Sequence, residues 1–143
     1  MKIALTFFEA LLMGHLIGDY IFQTNWMAQR KGSEYFPCFV HCLIYTFFVC
    51  ALTSWNPLWI LLVFLSHFLV DKFSLADKWL MLIGSRSITK FLFEGHRVNE
   101  IEDENCKENY IILRGGFTAL VYAVADNTLH LMLMLLAAKF VWW

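Results

Sequence analysis

The sequence is short of charge. Only 16% of its 143 residues are Asp, Glu, Lys or Arg, against about a quarter in soluble domains. This shortfall excludes an ordinary solvated surface wrapped around a soluble core. The charges are also confined: most lie between Lys72 and Arg114, and long stretches on either side hold almost none. Paired cysteines are missing too. Cys38, Cys42, Cys50 and Cys106 contain no Cys-x-x-Cys, which excludes a disulfide framework or a thiolate metal site. Three of them sit in an apolar stretch, where Cys is a small hydrophobe. There is no basic tract and the net charge is −1, so nucleic acid is not an expected partner. No small-x-small cleavage pattern follows the apolar run after Met1-Lys2, and His15 and Asp19 interrupt that run. It therefore reads as a mature first span rather than a secretory signal.

What the chain has instead is apolar length, with 59% hydrophobic and 17% aromatic residues. A span needs roughly 20 mostly apolar residues. Residues 3–22, 36–52, 58–73 and 117–141 fit four spans, the third rather short. Pro37 suits a first helical turn, the polar residues 53–57 reverse the chain, and Trp142-Trp143 form an interfacial anchor. In residues 74–93, Leu75, Trp79, Leu82 and Ile83 recur at helical spacing beside Asp77, Lys78, Arg86 and Lys90. That pattern predicts an amphipathic helix lying in the interface. Residues 94–116 read as a charged, wet loop containing His96 and ending at Gly115-Gly116. The expected fold is a single all-α domain over residues 1–143: a polytopic integral membrane bundle of about four transmembrane helices plus the interfacial helix. Lys2 and Lys139 fall on one face, and nine other basic residues, from Arg30 to Arg114, fall on the other. The second face should be cytoplasmic, with both termini outside.

Ionisable residues inside spans cost at least ~2.5 kcal/mol each near the helix centre. This chain nonetheless has His15-x-x-x-Asp19 in the first span, His41 in the second, His67-x-x-x-Asp71 in the third and Asp126-x-x-x-His130 in the fourth. Four-residue spacing puts each His and Asp on one helix face. At ~1.5 Å per residue, His15, His41 and His67 fall about 9–12 Å from the cytoplasmic face. His130 falls deeper, at roughly 19 Å, unless its helix protrudes before entering the membrane. The His/Asp pairs of the first and third spans are 52 residues apart, which hints at two related hairpins. Imidazole and carboxylate ligands suit zinc, with manganese or iron as alternatives. Seven candidate ligands (His15, Asp19, His41, His67, Asp71, Asp126 and His130) exceed one tetrahedral shell, so one or two ions are expected. The competing reading is interhelical hydrogen bonding that locks the bundle.

The run His15–Asp19 continuing through Gln23-Thr24-x-Trp26-Met27-Ala28-x-x-Lys31 resembles the opening motif of a bacterial and phage family catalogued as domain of unknown function 3307. His41-Cys-Leu-Ile-Tyr45, His67–Asp71 and Asp126-x-x-x-His130 resemble that family's later motifs in the same order. The family usually has Gln after the closing Asp, where this chain has Asn127. The resemblance implies a bacterial inner (cytoplasmic) membrane protein, and it carries no activity with it. The intramembrane His/Asp pattern is also similar, as chemistry only, to that of inner-membrane metal-dependent hydrolases.

The leading functional expectation is a membrane metallohydrolase open to the cytoplasmic side. Asp19, Asp71 or Asp126, whichever is not a ligand, would serve as general base, and Gln23 would orient substrate or water. Lys31, Lys72, Arg86 and Arg97 are candidate phosphate holders, which points to a phosphate-bearing lipid or a nucleotide as substrate, with membrane lipids as surroundings. The alternatives are a metal-ion or proton transporter or sensor, and a non-catalytic scaffold.

Overall fold

The computed structural model describes residues 5–93 and 103–142. Every regular element among them is helical. α1 (Phe7–Leu16) runs into a π-helical turn (Ile17–Ile21), followed by α2 (Asn25–Arg30), α3 (Tyr35–Leu52) and α4 (Pro57–Lys72). α5 (Leu75–Leu82), α6 (Ile88–Phe93) and α7 (Glu104–Trp142) complete the chain. Two compact units result. The first comprises the chain up to Ser74 together with the segment from Leu129 onward, and the second is Leu75–Thr128.

In the first unit, the starts and stops of helices follow local chemistry. Thr6 caps α1 and Glu9 closes a capping box, its Oε2 accepting from the Thr6 amide at 2.7 Å, so Glu9 serves the helix end. Asn56 caps α4, accepting from the Leu58 amide at 2.9 Å, and Pro57 follows where no amide hydrogen is needed. Trp59 Nε1 donates to Thr53 Oγ1 at 2.8 Å and fixes the α3–α4 turn.

α1 lies close against α3 because two glycines allow it. A Cβ on Gly14 would sit 2.8 Å from Val49 Cα, and one on Gly18 would sit 2.9 Å from Tyr45 Cα. Small residues four apart let two backbones touch, which is how helices gain dispersion contact where lipid removes the hydrophobic drive. Leu11, Tyr45, Val49, Trp59, Val63, Met134 and Ala137 pack at the centre of this unit. The outward faces are apolar as well: Phe36, Phe39, Leu43 and Phe47 on α3 and Leu58, Leu61, Leu65 and Leu69 on α4 are exposed, while His41, His67 and Asp71 on the same helices are buried. Polar inside and apolar outside is the reverse of a water-soluble protein.

In the second unit, the single amphipathic helix expected over residues 74–93 is two helices, α5 and α6, broken where Gly84 takes φ +69°. That backbone conformation suits glycine and ends a helix. The buried Asp77 carboxylate joins the two, accepting from the Ile88 amide at 2.7 Å and from the Thr89 hydroxyl. Residues 104–116, expected as the end of a loop, are helix instead, and Gly115-Gly116 lie inside α7. Two glycines there cost roughly 1 kcal/mol each relative to Ala, and Gly115 faces Phe91 with room for little more (an added Cβ would lie 3.3 Å from the ring). Residues 94–102, including His96 and Arg97, lie outside the described residues.

Among the described residues two helices, α3 and α7, are long and apolar enough to cross a membrane, and α4 with α5 makes a third if that broken pair is one span. α4 alone has 16 residues and α1 has 10 before its π turn, so the fourfold count read from hydropathy is not reached by helix length.

Candidate metal centre

The π turn positions the first carboxylate. In an α-helix Asp19 would stack on His15, but the turn closes an i→i+5 bond, Phe22 N to Ile17 O, at 3.1 Å. The wider turn rotates the side chains beyond it. His15 Nδ1 and Asp19 Oδ2 are therefore 3.9 Å apart, whereas Asp19 Oδ1 comes within 3.1 Å of His41 Nε2 on α3. α4 stays a regular helix, so Asp71 keeps its place one turn from His67, with Oδ2 3.2 Å from His67 Nε2.

Three elements thus bring four ligand atoms together. His41 Nε2 is 2.9 Å from His67 Nε2, 3.1 Å from Asp71 Oδ2 and 3.1 Å from Asp19 Oδ1, and His67 Nε2 is 3.7 Å from Asp19 Oδ1. All four atoms lie within 4.8 Å of one another, and all four residues are buried. A tetrahedron with metal–ligand bonds of 2.0–2.2 Å has edges of about 3.3–3.6 Å. The observed separations straddle that length, so one first-row ion fits among these atoms with small adjustments.

Charge argues the same way. A carboxylate taken out of water without a partner costs several kcal/mol, and here two point at one spot. Lys31, at the end of α2, supplies one compensating charge, with Nζ 2.9 Å from Asp71 Oδ2 and 3.9 Å from Asp19 Oδ1. Its side chain is 16% exposed, compared with 6% or less for the two aspartates and two histidines it faces, so it leads from the cage towards the surface. With both imidazoles neutral, two carboxylates and one ammonium leave one negative charge for a further cation.

Around the cage stands a layer of aromatic and imidazole rings. Tyr45 stacks on His67 with ring centroids 3.5 Å apart, and its hydroxyl donates to Met134 Sδ at 3.1 Å. The same oxygen lies 2.9 Å from His15 Nδ1 and accepts from it. His130 lies beside His67 with ring centroids 4.1 Å apart and planes tilted by 30°, and its Nε2 lies 3.5 Å from Asp71 Oδ1. His130 therefore shares the layer of His67 instead of lying deeper. The helix that carries it begins at Glu104, well before the apolar stretch. The far nitrogens, His41 Nδ1 and His67 Nδ1, are buried without a hydrogen-bond partner among the described residues.

The remaining expected site residues are not among these four ligands. His15 touches the cage through Tyr45 and Asp19. Asp126 lies on α7 one turn before His130, at the end of the second unit. Gln23 follows the end of the π turn at Ile21, and its Nε2 is buried without a partner among the described residues. Lys72 donates to Gly32 O at 3.2 Å and lies 4.1 Å over the Tyr35 ring, which pins the α2–α3 link to the end of α4. Arg86 lines a cavity of the second unit. Gly14, Gly18 and Tyr45 build the site without having been marked as site residues, although Gly-x-x-x-Gly in an apolar run is a legible packing signal.

The fold and site define an all-helical protein with membrane-length helices and a buried histidine–aspartate cluster able to hold a metal ion. The chain belongs to the family described as "Protein of unknown function (DUF3307)", whose model matches residues 7–143. No curated protein and no solved structure matches it.

Proposed function

We propose that the chain is an integral membrane metallohydrolase of four spans, with both termini outside and its His/Asp cage opening to the cytoplasmic side. The observation that carries this reading is the convergence of Asp19 Oδ1, His41 Nε2, His67 Nε2 and Asp71 Oδ2 at near-tetrahedral separations of 2.9–3.7 Å. In this reading α1 with its π turn is one span and α4 another, shortened where polar helix ends meet the headgroups. Zinc is the favoured ion, since two imidazoles and two carboxylates match its ligand preference. Such an ion supplies Lewis acidity and brings the pKa of a coordinated water to near 7.

The protein groups do the rest. Asp71 offers Oδ2 to the cage and has Oδ1 3.5 Å from His130 Nε2, so its second oxygen would be available to a further cation. His130 would supply a further ligand for a second ion. Asp19 gives Oδ1 to the cage, which leaves Oδ2, 3.9 Å from His15 Nδ1, to act as general base. Lys31 would leave the carboxylates when a divalent cation enters and turn its charge to an anionic substrate, a phosphate ester of a lipid or a nucleotide.

A second reading has its own observation. The Nε2···Nε2 separation of 2.9 Å between His41 and His67 is also that of two imidazoles sharing one proton, which suits a proton path or a locked scaffold. Zinc-loaded protein is expected to hydrolyse a phospholipid, an isoprenyl phosphate or a nucleotide, to lose activity on chelation and to regain it on reloading. Metal-loaded protein inert towards all three, but moving the ion in an uptake assay, would replace hydrolysis by transport.

A further inference from the structure

The second compact unit carries a feature that the cage does not explain. A cavity of about 320 Å³ is lined by Gly84, Ser85, Arg86, Ser87, Lys90, Phe91, Arg114 and Thr118. Three cations face it, and none of the described residues lining it is a carboxylate. Asp77 of α5 is committed to the Ile88 amide and to Thr89. Ser87 Oγ accepts from the Lys90 amide at 3.0 Å, which leaves its hydrogen to donate. An adjoining cavity of about 500 Å³ shares Arg86 and Arg114 but is otherwise lined by Leu113 and Phe117. Arg86 stands between the two, its guanidinium 4.5 Å over the Phe117 ring, and Arg114 donates to the Tyr110 hydroxyl. Leu113 and Phe117 are exposed at 73% and 55%.

A basic, hydroxyl-lined chamber opening onto an apolar one has the polarity of an anionic amphiphile. Planar guanidinium groups pair with phosphate oxygens, and the leucine and phenylalanine give an acyl chain its surface. Arg114 is one helical turn before the apolar stretch that starts at Phe117, the level at which lipid phosphates sit if α7 spans the membrane. We propose that Arg86, Lys90 and Arg114 form a binding site for an anionic phospholipid, with the phosphate in the smaller cavity and an acyl chain along Leu113 and Phe117. This site stands independently of metal binding by the cage.

The test is native mass spectrometry of the full chain released from a neutral detergent, after mixing with equal amounts of phosphatidylglycerol and phosphatidylcholine. The wild type is expected to retain phosphatidylglycerol at least about tenfold more than phosphatidylcholine, since each arginine near an anionic headgroup contributes about 1 kcal/mol. Combined Arg86→Ala and Arg114→Ala should abolish that preference, and Arg86→Lys should keep most of it. Lys78→Ala, which changes a basic residue outside the cavity, should leave it intact. If the double variant elutes as aggregate, Arg86→Ala with Lys90→Ala provides the same comparison. Equal retention of both lipids would overturn the proposal, as would a loss in Lys78→Ala as large as in the cavity variants. Displacement of the bound lipid by a modest excess of inorganic phosphate would make free phosphate the ligand and would overturn it too.

Discussion

His41 Nε2 and Asp71 Oδ2, carried by α3 and α4, lie 3.1 Å apart with both residues buried. Asp19 Oδ1 reaches the same nitrogen, also at 3.1 Å, from the π turn after α1. One imidazole edge thus meets two carboxylates from two different helices. The aspartates are 52 positions apart in the chain, and α3 between them places His41 where both converge.

The close seat of α1 on α3 should be intolerant of bulk. Gly14→Val adds methyl groups beyond a Cβ that already falls 2.8 Å from Val49 Cα, and backbone cannot yield as a side chain tip can. A cost of about 1–3 kcal/mol is expected from such overpacking, read as a lower melting temperature in detergent with less bound metal. Gly116→Ala, where an added Cβ meets nothing within 4 Å, should leave both unchanged. Equal melting temperatures for the wild type and Gly14→Val would show that the helices are not packed this way.

Lys31→Met removes the ammonium that lies 2.9 Å from Asp71 Oδ2. If Lys31 competes with a divalent cation for these carboxylates, the variant should bind zinc about tenfold more tightly. That is a modest share of the ~4 kcal/mol that two unit charges 4 Å apart exchange at an effective dielectric constant of 20. Turnover should fall, because the anion-holding charge is gone. Weaker zinc binding by Lys31→Met, measured by competition with a chromogenic chelator, would contradict this role.

Topology follows from the basic residues between Arg30 and Arg114. A reporter fused after Trp143 is expected to register the outer side, and one inserted at Gly84, where the chain turns at φ +69°, the cytoplasmic side. The same side for both would remove either the span assigned to α7 or the orientation.

Much of the cage was legible because its residues break a rule: His67 and Asp71 in an apolar helix can only be costly or useful, and their spacing fixes a shared face. Asp19 was legible as a site residue but not in its direction, since a π turn leaves no clear mark in Ile17-Gly18-Asp19-Tyr20-Ile21. His130 was placed too deep because charge made residues 104–116 read as loop, although Tyr110-Ile111-Ile112-Leu113 carries the helix on to the apolar stretch. From the sequence Lys31 is a candidate phosphate holder, whereas in the structure its Nζ lies 2.9 Å from Asp71 Oδ2. Its reach to Asp71 depends on the angle of α2, which is set by tertiary packing and has no local signal.

The central claim is that the cage binds a transition metal, and elemental analysis of purified protein tests it most directly. One or two ions per chain, with zinc foremost, are expected in the wild type. Asp71→Asn should lose most of the metal while keeping its helical circular dichroism, because the amide holds the shape but is a poor ligand. A wild-type chain that holds no metal as purified and takes none up when loaded with zinc, manganese or iron would contradict the claim. The histidines and aspartates would then stand as a proton-sharing lock between helices.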